Sequence, residues 1–504
     1  MHEGCKSVVS YKEKIKDPHL IGYFRFTNFF PVEFAEFSIT YPKEVNISYK
    51  VFNDWDNIVE IEKQESKKNT TVKISVSEYI PGYSLQNDFD SDYYIPHVVF
   101  YINDYKACEE NIDVIPDLKG LHNWYYSITS KSNFVSPEIK ALSDSIITGT
   151  NSSIEKMRSI FYWVQDNVRY VAFEDGYGGF VPREADLVVK RKYGDCKDMT
   201  NLTTQLLKAA GINAYLSWVG TRSIPYTYYD IPTIYNDNHM VCTAEIDGRY
   251  YILDATAYTS IDYPSKFILG KDVLVSISEN EFKVIDVPEI AYDKNTITDS
   301  INLSIDNSTL QGIGAVTLSG YYDFDLANQA NYSDKENERR KIENHVGKGS
   351  DKFQLDNYSL KNFKSREKNN IIEYEFHVPD YVTSFENHIY VNLNLSTPYS
   401  KRDIDMNEKI YALSLGNHTK IRVKNTLQIP ENYSVTYLPE KISYHHDQFG
   451  FDVQYEISDN QVIYNFDLYL KTLKVEQKDF ENWNQFIKKL NVAYKKSIEL
   501  TLNN

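Results

Sequence analysis

The sequence predicts an α+β, multidomain protein in which a central, helix-containing core is flanked by antiparallel β-rich domains. Three observations carry this. Between residues 20 and 130, and again after residue 294, apolar and polar side chains alternate in short runs, the period of half-buried antiparallel strands. Between residues 137 and 210 the apolar residues recur instead at helical spacing. Finally, 504 residues are enough for roughly two to four domains, each with its own core. The changes of period put the boundaries at 1–130 (a β-sandwich-like domain), 131–292 (the core) and 293–504 (β-rich, with two helices).

In the first part the strands fall at 36–41, 45–52, 57–63, 70–78 and 97–105, broken at Pro42-Lys43, Lys67-Lys68-Asn69 and Pro81-Gly82. A helix is expected over 138–147. A second follows with Ser153 as its N-cap and Ile154, Met157, Ile160, Phe161 and Val164 on one face. Trp163 and Gln165 ride on that second helix, and core packing is the ordinary role for Trp163. A Gly- and aromatic-rich loop (174–183) and a short helix (184–190) lead to the next helix. That helix begins at Cys196, carries Met199, Leu202, Leu206, Leu207 and Ala210, and stops at Gly211. A strand (212–219), a long polar and aromatic connection (220–237) and a hairpin centred on Asp247-Gly248 complete the core. Beyond residue 294 the strands resume, with helices expected at 336–345 and 479–494 and a terminal strand at 497–502.

Composition narrows the function. The net charge of −17, from 54 basic and 71 acidic side chains, leaves no basic stripe for a general nucleic-acid binder. The 42 Tyr and 25 Phe suit strands with aromatic faces. The cysteines Cys5, Cys108, Cys196 and Cys242 are too few for a disulfide scaffold, and Cys5 and Cys108 read as buried or incidental. No apolar run reaches the ~18 residues of a membrane span. Met1 to Cys5 lead straight into strand-like sequence without a basic-then-apolar leader, as in a chain cut from something longer.

The chemistry concentrates around Tyr193-Gly194-Asp195-Cys196. A glycine breaks the chain, Asp195 stands at the N-cap position, and Cys196 falls in the first helical turn. The free N–H groups and positive dipole end of a helix stabilise a thiolate there. The hairpin supplies partners. Asp-Gly is the strongest two-residue signal for a type I′ turn, so Ile246 pairs with Arg249 and Val241 falls opposite Asp254. His239, two residues earlier, shares the face of Asp254 as a diagonal neighbour, with Cα atoms ~7 Å apart. Cys242 points to the other face. A thiol, an imidazole and an orienting carboxylate are what nucleophilic acyl chemistry needs. A metal site using Cys196, His239, Cys242 and Asp254 is the chemical competitor. Paired-ligand spacing is missing and Cys242 faces away, so no metal and no cofactor are expected.

The order Gly194-Asp195-Cys196-Lys197-Asp198, a helix ending in Ala209-Ala210-Gly211-Ile212, then Asn238-His239, then Tyr251-Ile252-Leu253-Asp254-Ala255-Thr256 resembles the transglutaminase-like superfamily, mechanistically related to papain-type cysteine proteases. Val168-Arg169-Tyr170-Val171 and Val181-Pro182 fit the same pattern. The resemblance implies a papain/transglutaminase-like core with Cys196 as nucleophile, His239 as base and Asp254 as orienting carboxylate. It also implies an aromatic or polar side chain holding the oxyanion: Tyr170 first, with Trp163 and Gln165 behind it. The loops 174–183 and 220–237 are expected to flank the cleft, with Asp195, Tyr177 and Tyr235 as candidates to touch substrate. The three-part layout resembles bacterial envelope proteins, typical of Bacteroidetes, described as transglutaminases or cysteine proteases. That likeness implies export to the periplasm or cell envelope.

These readings predict a cysteine-dependent hydrolase or acyltransferase acting on a peptide or protein substrate. Hydrolysis is favoured because water is always available and no EF-hand-type calcium loop occurs. The alternative is a non-catalytic protein that holds a polypeptide or glycan on its β domains, with the core as scaffold. Thiol reactivity discriminates the two.

Overall fold

The computed structural model describes residues 14–503, except 55–56, 81–88, 173–175, 332–333, 364, 408 and 410. Its architecture is α+β and multidomain. Near the N-terminus two antiparallel sheets face each other. One has the order Tyr23–Arg25, His97–Ala107, Val45–Phe52, with Glu110–Asp113 added beside His97–Ala107. The other has the order Ala35–Pro42, Asn69–Val76, Val59–Glu65. Alternate residues point inward and meet in a small core of Phe26, Val72, Ile74, Val76, Ile80 and Val98, the outcome that period-2 patterning dictates.

Within the stretch read as β the structure has a helix, α1 (Leu118–Thr129). Asp117 caps it, accepting from Gly120 N at 2.8 Å. Its aromatic content imitates a strand, but Leu121, Trp124, Tyr125 and Ile128 recur at helical spacing. Tyr125 stacks on Trp218 with ring centroids 4.5 Å apart, so α1 packs on the central sheet.

Four helices follow: α2 (Pro137–Ile146), α3 (Ser153–Asn167), α4 (Ala185–Arg191) and α5 (Cys196–Ala209). The N-cap of α3 is Ser152, one residue ahead of the expected Ser153, because its hydroxyl accepts from Glu155 N. The central sheet is wholly antiparallel, in the order Arg249–Leu253, His239–Ile246, Asn213–Val219, Asp272–Ser278, Glu281–Asp286. Leu202, Leu206 and Leu207 of α5 join Met157, Phe161 and Val164 of α3 and Ala214, Cys242 and Ala244 of the sheet in one core. Burying each leucine contributes about 1.5–3 kcal/mol. Every residue of α5 from Lys197 to Leu207 is buried, so its polar side chains call for partners inside the protein. Thr200 Oγ1 donates to Met240 O at 2.9 Å, and Asn201 Nδ2 to Ser132 O and Arg183 O at 3.0 and 2.9 Å.

The C-terminal part holds an eight-stranded sheet, antiparallel throughout except where Thr296–Asp306 runs parallel to Thr419–Gln428, and a smaller four-stranded sheet. Two helices were expected here, and α7 (Lys335–Val346) and α8 (Phe480–Tyr494) lie close to those positions. A third, α6 (Tyr321–Asn331), is additional. It begins after Gly320, whose φ of +63° suits glycine, and it lacks the Ser/Thr/Asp signal that marks a helix start.

Several contacts dock this part on the core. Tyr321 Oη donates to Pro264 O at 2.6 Å, and Lys266 pairs with Asp325 at 2.9 Å. Elsewhere Arg366 pairs with Asp166 at 2.6 Å and lies 3.9 Å from the ring centre of Tyr258. No helix among the described residues is long and apolar enough to cross a membrane.

Candidate active site

Cys196 is the first residue of α5 and is half-buried. A capping box fixes the turn before it: Asp195 accepts from Asp198 N, and Asp198 accepts from Asp195 N, each at 3.2 Å. Asp198 also accepts from Arg183 N and Nη1, both at 2.8 Å. Gly194 is required by close approach, because a Cβ there would lie 2.6 Å from that of Asp198. A parallel bridge joins Arg169–Tyr170 to Tyr193–Gly194, with Val171 N donating to Gly194 O at 2.8 Å. Tyr170 is thereby held beside the residue two before the thiol.

The hairpin adopts the register that its turn implies, with Ile246 opposite Arg249 and Cys242 opposite Leu253, and φ positive at Asp247 and Gly248. His239 Nε2 meets Asp254 Oδ2 at 2.9 Å. The same ring also feels Cys196, whose side chain lies close enough to help raise the imidazole's pKa. With Nε2 committed to the carboxylate, Nδ1 is the nitrogen left for the thiol. The bond from Thr200 to Met240 O ties the second turn of α5 to the residue after His239. Asp254 is fixed in turn: its Oδ1 accepts from Thr256 N at 3.1 Å and Thr256 Oγ1 at 2.6 Å. Thr256 was not anticipated, although an Asp followed two residues later by Thr is the pattern of an Asx turn.

Electrostatics follow from these contacts. Burial works against a charged imidazole, but Asp254 and then Cys196 outweigh it and raise the His239 pKa to about 10. For Asp254 burial works toward the neutral acid. His239 and Thr256 prevail and hold the carboxyl below its ordinary value. Both partners are therefore charged near neutral pH.

A cavity of about 420 Å³ opens against His239 and Asp254, bounded by Tyr170, Thr221, Tyr258, Phe267 and, from α6, Phe324 and Asp325. Tyr170, 43% exposed, is the oxyanion candidate that the structure brings to this place. Trp163 packs against the core shared by α3 and α5. Gln165 spends its amide on Ala257 O and Thr259 O, at 2.8 and 3.2 Å, and so braces the segment after Asp254.

The cleft candidates fare differently. Asp195 is 1% exposed, caps α5 and pairs with the buried Lys197, so it is turned into the protein and faces no cleft. Tyr177 belongs to the turn Gly176–Gly179, and its side chain lies outside the described residues. Tyr235 meets Tyr23 edge-on at 5.2 Å, away from the cavity. Part of the 220–237 connection packs on the N-terminal sheet instead. Tyr226 and Ile231 pack with Val99 of the N-terminal sheet, and Thr221 is the residue of the connection on the cavity wall. Cys242 is 0% exposed on the opposite sheet face, and burial pushes its thiol up to about 12. Among the described residues no His/Cys/Asp/Glu group could hold a metal ion.

Residues 140–255, which span Cys196, His239 and Asp254, match the sequence model of the transglutaminase-like superfamily. This segment is a transglutaminase-like domain. Residues 387–500 match a domain of unknown function for which a structure is solved. The whole chain shares its fold with a "putative protease" from Parabacteroides distasonis, at a TM-score of 0.60 and 13% identity over 97% of this chain and 76% of that one. A "putative cysteine protease" from Cytophaga hutchinsonii, 18% identical over 47% of this chain and 74% of that one, aligns at a TM-score of 0.21, too low to bear on the fold. No curated protein matches the chain significantly.

Proposed function

We propose that the protein is a cysteine-dependent hydrolase or acyltransferase, acting on peptide or amide bonds through a thioester on Cys196. The observation that carries this reading is one imidazole, His239, bonded to Asp254 at 2.9 Å and influenced by a thiol at a helix N-terminus. Residues 131–292 are then a papain/transglutaminase-like catalytic core between β-rich domains at 1–130 and 293–504. The transglutaminase-like domain supports the reading, as does the fold shared with the Parabacteroides protein.

His239 takes the proton of Cys196 as the sulfur attacks, and Asp254 steadies the imidazolium. Sulfur attacks the carbonyl carbon, and the developing oxyanion takes hydrogen bonds from the Cys196 N–H at the helix start and from Tyr170. As the tetrahedral intermediate collapses, His239 gives its proton to the departing nitrogen and the carbon–nitrogen bond breaks. Water, activated by the now neutral His239, then adds to the thioester and releases the acid and the thiol. An amine doing the same yields a new amide. Hydrolysis is the favoured outcome because water needs no site of its own.

The test is product analysis by mass spectrometry after incubation with a protein mixture and a labelled primary amine. Hydrolysis predicts new chain termini that disappear with Cys196→Ala. Amine incorporation without new termini would make the enzyme an acyltransferase. The absence of both, with no adduct on Cys196, would contradict the reading.

A further inference from the structure

The cavity is lined by the imidazole and its carboxylate, and the chemistry gives that position a meaning. His239 hands its proton to the nitrogen that departs, so the departing amine sits on the imidazole side of the Cys196 sulfur. An amine that attacks the thioester arrives at the same place, because its attack is the reverse of expulsion. The cavity of about 420 Å³ opens against His239 and Asp254. It is therefore placed to hold the amine half of a substrate.

Its walls decide which amine. The charged residues among those described as lining it form two mutual pairs, His239 with Asp254 and Lys266 with Asp325, each at 2.9 Å. An incoming charged side chain would lose its water and find each wall charge already matched. The remaining surface is rich in rings. Phe267 stands 62% exposed on one wall, and Phe324 forms a buried floor. An aromatic or branched apolar side chain would cover Phe267 and stack in the space, removing apolar area from water. The floor is held firmly, since Tyr321 of α6 bonds Pro264 O and Asp325 holds Lys266, the neighbour of Phe267.

We propose that this cavity, built jointly by the segment 256–267 and by α6, is the amine-side specificity pocket and prefers an amine component with an aromatic or branched apolar side chain. The proposal rests on the thiol-enzyme reading above and names the substrate class of the same site.

Partition of an acyl-enzyme tests it. The full chain is acylated on Cys196 with the p-nitrophenyl ester of acetylglycine, which releases p-nitrophenol and leaves the amine side empty. At about pH 8, where much of an α-amino group is unprotonated, the amides of Phe, Leu, Gly, Lys and Glu are offered singly. Water or the amine nitrogen adds to the thioester carbonyl, the carbon–sulfur bond breaks with its electron pair going to Sγ, and the nucleophile's proton passes to His239 and then to sulfur. The ratio of amide product to acid is read by mass spectrometry.

The Phe and Leu amides should capture the acyl group roughly tenfold better than the Gly, Lys or Glu amides. Phe267→Ala and Phe324→Ala should each flatten that preference. A ratio within one acyl-enzyme does not depend on how much of a variant is folded. Equal capture of all five amides, or better capture of the Lys or Glu amide, would overturn the pocket while leaving the thiol enzyme standing. No acylation of Cys196, seen by intact mass, would overturn both.

Discussion

Cys196 and Cys242 border a single contact, the seat of α5 on the strand His239–Ile246, yet they meet opposite surroundings. Cys242 lies under the helix, packed with Leu206 and Leu207 of α5 and wholly buried, with its thiol pushed up by that burial to about 12. Cys196 is at the start of the same helix, at the positive end of its dipole, and it faces a histidine three residues from Cys242 along the strand. Three residues on a strand reverse the face. Position along a helix and parity along a strand, rather than distance between the thiols, separate a structural cysteine from a nucleophile.

Exchanging the thiols gives the largest expected effects. Cys196→Ala should lower kcat/KM by ~1,000-fold or more and move the melting temperature little. Cys242→Ala should do the reverse, with kcat/KM within about threefold and a loss of ~1 kcal/mol from the small cavity left in the core, measured by denaturant unfolding. Matching effects at the two positions would break the contrast.

Next comes the carboxylate. Asp254→Asn keeps the shape but removes the charge that offsets the burial of His239. It should cost kcat/KM ~100-fold or more and draw the alkaline limb of the pH profile down from about 10.

The same pair makes a prediction for stability. Folded His239 keeps its proton up to about pH 10, whereas in the unfolded chain it loses it near the ordinary 6.5. Its contribution is therefore full below pH 6.5 and is lost as the pH rises toward 10. Asp254, depressed when folded, has the opposite sense: its contribution is present above the ordinary carboxyl value of 3.8 and is lost as the pH falls through its folded value. The gap in melting temperature between the protein and His239→Ala should narrow between pH 6.5 and 10, and a constant gap would contradict the assignment. The smallest effect belongs to Thr256→Val. It removes one hydrogen bond to Asp254 and should cost ~1 kcal/mol, about fivefold in kcat/KM.

What could be read from the sequence was what local rules control. Asp247-Gly248 dictates a turn, the turn dictates the register, and the register puts His239 and Asp254 on one face. The start of α5 is equally local, since Asp195 and Asp198 form a capping box three residues apart. Taking Asp195 for a cleft residue relied on its nearness to Cys196, when its role as cap already turned its carboxylate toward the helix. The rest is tertiary. Phe324 and Asp325 reach the cavity from a helix more than 65 residues beyond Asp254, one without a start signal, and no periodicity links them to His239. The 220–237 connection looked like a cleft loop because it leads to His239. Tyr226 and Tyr235 instead serve the contact with the N-terminal sheet. α1 was hidden for a related reason, since its Trp and Tyr residues suit strand and helix alike and packing on Trp218 decides between them.

Activation of Cys196 by His239 is read from the pH dependence of thiol alkylation. Iodoacetamide is applied from pH 5 to 9 and each cysteine is followed by peptide mapping, with exposed Cys108 and buried Cys242 as internal references. Cys196 should be alkylated at least ~10-fold faster than Cys108 near pH 6, and His239→Ala should abolish that advantage. Alkylation of Cys196 no faster than that of Cys108, and unchanged in His239→Ala, would mean that His239 does not activate Cys196.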